Sequence, residues 1–187
     1  MGQTNYTINE YGEIKREDYF FTSVKGDSAQ VLPTNRRVWV IWLLSLLTFG
    51  IYSVIVIFAM SKETNIACAE DGQHTRNFWG AILLTIITFG IYGFVYYYKW
   101  ANREYNYLNK HTQNGGVIRG GGMVCLMLVT LALSFAQQMA MSINEMTAFG
   151  LIYIISLIWS IIVLSRFVKQ HNNVCKAYNI NTFGKKA

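Results

Sequence analysis

The sequence predicts an all-α, polytopic integral membrane protein with four transmembrane helices, and three observations carry that expectation. Charge is scarce: 14% of the 187 residues are charged and 52% are apolar, against about 25% charged in an average soluble chain. Charge is also segregated. No Asp, Glu, Lys or Arg falls within 38–58, 78–98, 120–143 or 148–165, windows close to the roughly 20 residues a helix needs to cross a bilayer core. Finally, Thr48-Phe49-Gly50-Ile51-Tyr52 returns 40 residues later as Thr88-Phe89-Gly90-Ile91-Tyr92, inside the first two windows.

The likeness between the two copies extends outward. Arg36 matches Arg76, Trp39 matches Trp79, and Leu43-Leu44 match Leu83-Leu84; after a one-residue slip, Glu63-Thr64-Asn65 matches Glu104-Tyr105-Asn106. An apolar unit written twice in this way reads as a duplicated membrane segment. The doubled pentapeptide, with its flanking Arg and Trp and its Glu-x-Asn, resembles the bacterial membrane family catalogued as domain of unknown function 4234, over residues 36–110. The resemblance implies a membrane location and a helical architecture, and it implies no activity. The last two apolar runs are expected to lie outside it.

Residues 1–35 form a polar cytoplasmic segment. Residues 6–15 read as a short hairpin turning at Asn9 and Gly12, and the segment is too poor in apolar side chains to bury a core of its own. It lacks the basic-then-apolar pattern of a signal peptide, so the first span is expected to act as its own insertion signal. Arg36-Arg37 hold the start of that span on the cytoplasmic side.

Residues 36–110 form the duplicated transmembrane repeat. Two forms are open to its Thr-Phe-Gly segments. In the expected form each span is a continuous helix, with a packing notch at Gly50 and Gly90. In the other form each segment breaks the span into a re-entrant hairpin, which leaves backbone groups unpaired where lipid does not tolerate them. The polar residues at the repeat boundaries are Arg36, Arg76, Glu63, Asn65, Glu104 and Asn106. The two glutamates are expected to form an ion pair or cap with Lys62 or Arg103 at a helix end, with a ligand or ion site as the alternative.

Residues 111–165 hold the second helix pair. The amides of Gln137 and Gln138 need partners in hydrocarbon, so they are expected to face the bundle, another subunit or a water-filled gap. Residues 166–187 form a basic cytoplasmic tail. Phe167, His171, Val174 and Tyr178 recur in it at helical spacing, as if the fourth helix ran on past the membrane.

Little in the chain points to chemistry. His74, His111 and His171 show no metal-ligand spacing with one another or with Cys68, Cys125 and Cys175, so no metal or cofactor is expected. Arg166 and His171 are similar to the R-x4-H form of HEPN-type RNases, in which the two residues serve RNA cleavage, but two residues at a fixed gap arise often by chance. The net charge of +6 suits basic flanks facing anionic lipid better than nucleic acid. The expected function is a non-enzymatic membrane scaffold or interaction subunit, working as a homo-oligomer or with a membrane or cytoplasmic partner protein. One alternative is a small oligomeric pore or transporter lined by Gly50, Gly90, Gln137 and Gln138. The other is a membrane-bound antiphage-defence accessory using Arg166 and His171. Both termini are expected in the bacterial cytoplasm. Four spans then leave only Lys62 and Arg76, of 16 basic residues, outside, and the two copies cross in opposite directions.

Overall fold

Two short interruptions decide how the first half of the chain is built. In the computed structural model, which describes residues 31–76, 78–112, 115–143 and 145–183, helix α1 (Val38–Leu47) stops at the first Thr-Phe-Gly and α2 (Ile51–Ala67) begins directly after it. The second copy does the same between α3 (Phe78–Ile87) and α4 (Ile91–His111). A 3-10 turn (Ala69–Asp71) follows α2. The chain ends in two long helices, α5 (Gly120–Ser142) and α6 (Met146–Phe183). All regular structure among the described residues is helical. The hairpin expected over 6–15 lies outside them.

The continuous helices expected over 38–58 and 78–98 are therefore each replaced by a pair. Phe49 and Phe89 take the left-handed conformation, at φ 50° and 49°, followed by Gly50 and Gly90 at φ 89° and 93°. Two consecutive residues at positive φ reverse the helix. Arg36 shows how far: its guanidinium lies 2.6 Å from Glu63, a pair that one unbroken helix would hold roughly 40 Å apart at 1.5 Å per residue. Arg103 likewise reaches back to Thr75 at 3.0 Å.

The backbone cost of the break is met locally. The Gly50 N–H donates to the Ser45 carbonyl (2.7 Å), closing the end of α1 as a glycine C-cap does. The Thr48 hydroxyl donates to the Leu44 carbonyl (2.7 Å) and accepts from the Tyr52 N–H (3.0 Å). One side chain thus serves the last turn of one helix and the first turn of the next. Thr88 repeats both bonds with Leu84 and Tyr92 at 2.8 and 2.9 Å. The packing notch expected at Gly50 and Gly90 is absent, since a Cβ on either glycine would meet nothing within 4 Å. Both are needed for their backbone angles, not for close approach.

The molecule divides along its length into an apolar end and a polar layer. Among the described residues, α5 and α6 are the two helices long and apolar enough to cross a membrane. At 10 residues each, α1 and α3 reach about 15 Å, half of a hydrocarbon core about 30 Å thick. Every hairpin base, the start of α5 and the far half of α6 meet in the polar layer. There Trp100 and Phe167 pack edge to face, centroids 4.9 Å apart, in a core with Met60, Phe78, Ile118 and Val168. The last third of α6 ties the layer together. Gln170 accepts from the Ile118 N–H (2.6 Å), Asn172 clamps both backbone groups of Arg36 (3.3 and 3.0 Å), and Asn179 clamps both of Leu32 (2.9 and 2.8 Å). The expectation that the fourth helix runs on beyond its apolar stretch holds: α6 is one helix of 38 residues.

Candidate functional site

The polar layer encloses a row of ionisable side chains drawn from four elements. Arg36, in the strap before α1, forms two parallel hydrogen bonds to Glu63 of α2: Nη1 to Oε2 at 2.7 Å and Nη2 to Oε1 at 2.6 Å. Nε2 of His171, on α6, lies 2.8 Å from the same Oε2, and its Nδ1 lies 2.7 Å from Oε1 of Glu104 on α4. His171 and Glu104 are fully buried. The Thr64 hydroxyl donates to Glu104 Oε1 at 2.8 Å, and the Trp100 indole N–H points at the Thr64 Oγ1 and at Glu104 Oε1, at 2.8 and 2.9 Å. Cys175, one turn along α6, sets its sulfur 3.5 Å from His171 Nε2.

This geometry constrains charge. Both ring nitrogens of His171 face carboxylate oxygens, and only the imidazolium donates from both. Burial alone would drive the ring neutral; the Cys175 sulfur and the Glu104 carboxylate outweigh it and hold its pKa well above the usual histidine value. Burial also acts to raise Glu63, and the His171 hydrogen bond and the Arg36 charge overcome it, leaving that pKa below the usual carboxylate range. Two cations and two carboxylates make the row neutral, the condition under which buried charges are tolerable. One group stays unsatisfied. Glu104 Oε2 is buried without a hydrogen-bond partner among the described residues.

A family model described as a domain of unknown function (DUF4234) matches residues 36–78 and 76–176. The chain belongs to the DUF4234 family. No curated protein and no solved structure matches it. The DUF4234 match reaches well past residue 110, where the sequence resemblance was expected to end. It takes in both hairpins, α5 and most of α6, and so contains Arg36, Glu63, Glu104, His171 and Cys175 together.

Within this DUF4234 chain the boundary residues of the two pentapeptide copies take different partners from those expected. Glu63 pairs with Arg36, and Glu104 with His171; neither uses Lys62 or Arg103. Arg103 instead holds both oxygens of Asp71 (2.6 and 2.9 Å), Asn65 Oδ1 (2.6 Å) and the Cys68 carbonyl (3.0 Å), tethering the 68–75 turn to α4. Asn65 also exchanges hydrogen bonds with the Thr75 backbone at 2.9 and 2.7 Å. Arg76 and Asn106 line an open cleft of about 650 Å³ beside this tether, with Lys99 and Lys110.

Within one chain, Arg166 and His171 do not converge. Five residues apart, they lie about 140° around the helix; Arg166 is exposed and His171 is interior. The two amides of α5 also part company, since Gln137 donates to Ser156 of α6 at 3.1 Å whereas Gln138 is exposed. The signal overlooked in the sequence is His171-x-x-x-Cys175, two potential ligands on one helix face.

Proposed function

We propose that this protein is a non-enzymatic membrane scaffold that sits mainly in the cytoplasmic leaflet. In this reading α5 and residues 148–165 of α6 cross the bilayer. The two hairpins enter the near leaflet only, and the polar layer and both termini stay in the cytoplasm. The observation that carries it is the pair of hairpin tips. Phe49 and Phe89 are each 98% exposed, and Leu46, Leu47, Ile51, Ile86, Ile87 and Ile91 around them are exposed as well. Apolar caps of this kind at the ends of 15 Å arms suit lipid at mid-depth. Charge agrees, because residues 120–165 contain no Lys or Arg. All 16 basic residues then lie on the cytoplasmic side, a stronger bias than four spans would give.

Six helical segments would then occupy the near leaflet and two the far one. With helices about 10 Å across, the protein displaces roughly three times more area in one leaflet than in the other. A wedge of that shape favours a bilayer bulging toward the polar layer, as interfacial helices do. The test is to reconstitute the protein into small sonicated and large extruded vesicles of one lipid composition. Higher protein density in the small vesicles, with the polar layer outside, is expected. Equal density in both would overturn the wedge.

A further inference from the structure

We propose that Glu63, His171 and Cys175 form a buried site for one zinc-type divalent ion, with Glu104 and Arg36 as the outer partners that aim the ligands. The three ligand atoms, Oε2, Nε2 and Sγ, all lie within 4.8 Å of one another. Carboxylate, imidazole and thiolate are the donors that zinc takes. Bonds of about 2.0–2.3 Å in a tetrahedron place ligand atoms roughly 3.3–3.8 Å apart. The pair Nε2 and Sγ already stands at 3.5 Å. Nε2 and Oε2, at 2.8 Å, must part by about 0.5 Å to meet that spacing.

The surroundings are those of a ligating histidine. Such a histidine usually donates its other N–H to a carboxylate, which fixes the tautomer and the ring. Glu104 stands at that place, 2.7 Å from Nδ1, and is itself held by Thr64 and Trp100. Glu63 is aimed by Arg36, which holds Oε1 through Nη2 at 2.6 Å and the ligand oxygen Oε2 through Nη1 at 2.7 Å. His171 and Cys175 supply two ligands from one face of α6, and Glu63 supplies the third from the first hairpin. The ion therefore staples that hairpin to α6.

The ion binds imidazole and thiolate, so any proton on Nε2 or Sγ passes to solvent as the Nε2–metal and Sγ–metal bonds form. The carboxylate and thiolate ligands offset the ion's two positive charges, the condition under which a charge is tolerable in the interior.

The test uses full-length protein without a histidine tag, purified in mild detergent after growth with zinc. About one zinc per chain is expected, and X-ray absorption of the unmodified protein should read one sulfur at about 2.3 Å beside lighter donors. Cys175→Ser should remove the sulfur signal and most of the zinc, whereas Cys125→Ser should change neither. Glu104→Gln should weaken zinc binding by about 10–100-fold, as loss of an outer carboxylate does. Zinc bound through nitrogen and oxygen alone, a sulfur signal that survives Cys175→Ser, or folded protein that stays zinc-free under excess zinc would each overturn the proposal. The absorption measurement needs no variant, so it decides the matter even where Cys175→Ser fails to fold.

Discussion

The two hairpins match at their tips and part at their bases. At the tips, the Phe and Gly angles agree within a few degrees, and the Thr48 and Thr88 bonds agree within about 0.1 Å. At the bases, Glu63 has its own arginine and is partly open to water, whereas Glu104 is sealed inside with no arginine and one idle oxygen. The tip is specified by five consecutive residues, so it is reproduced wherever they recur. The base is specified by a partner outside either copy. One imidazole serves both hairpins through its two nitrogens. A single residue packed against two similar units cannot present the same surroundings to each.

The largest expected effect is all or none and asks whether both hairpins return to one side. Cys68 is the natural reporter between them, but it is buried, and burial pushes its thiol pKa far above the usual range, so it is a poor target for maleimide. Gln73→Cys, exposed in the turn joining the hairpins, placed in a Cys125→Ser background, should react with an impermeant maleimide only after cells are opened. Labelling of intact cells would restore four full spans.

Next come the arginines at the two bases. Arg36→Met strips a partly buried pair of its cation and should cost about 2 kcal/mol of unfolding free energy, less than the loss for a fully buried pair. Arg76→Met, at the matching position in the second hairpin, is exposed and should cost less than about 0.5 kcal/mol. Similar losses in denaturant titrations would mean that the bases are equivalent after all.

The tips should behave alike. Gly50→Ala and Gly90→Ala each place a Cβ on a left-handed residue in open space, and each should cost about 1–2 kcal/mol from backbone strain alone. A much larger loss at one of them would reveal packing there.

The smallest effect is a pH profile of chelator-treated protein. His171 has a raised folded pKa, so its contribution is complete below the ordinary histidine value and is lost as pH rises through the raised one. Glu63 has a depressed pKa, so its contribution is complete above the ordinary glutamate value and is lost as pH falls through the depressed one. The melting temperature should therefore form a plateau around neutral pH with a fall on each side. Arg36→Met should draw the acid edge upward and leave the alkaline edge in place.

Much of the fold was legible in the sequence. Charge-free windows locate the apolar helices, and the spacing of Phe167, His171 and Val174 gives the inward face of α6. The hairpin form was visible as an alternative at Thr-Phe-Gly. It was weighed down by the cost of unpaired backbone in lipid, and the Thr48 hydroxyl and the Gly50 N–H remove most of that cost within the turn itself. The site was harder to see. Glu63 and His171 are 108 residues apart, and no local pattern says that a histidine beyond the last apolar run folds back onto two earlier glutamates. Only the step from His171 to Cys175 was open to inspection.

That separation also sets an order of events on the ribosome. At about 5–20 residues per second, roughly 5–20 s of synthesis pass between Glu63 and His171. Both hairpins emerge while their carboxylates lack the residue that joins them. Asn179, which clasps Leu32 across 147 residues, appears later still. The polar layer thus closes only once α6 is made, and a nascent chain interrupted before residue 171 carries two hairpins with an open base.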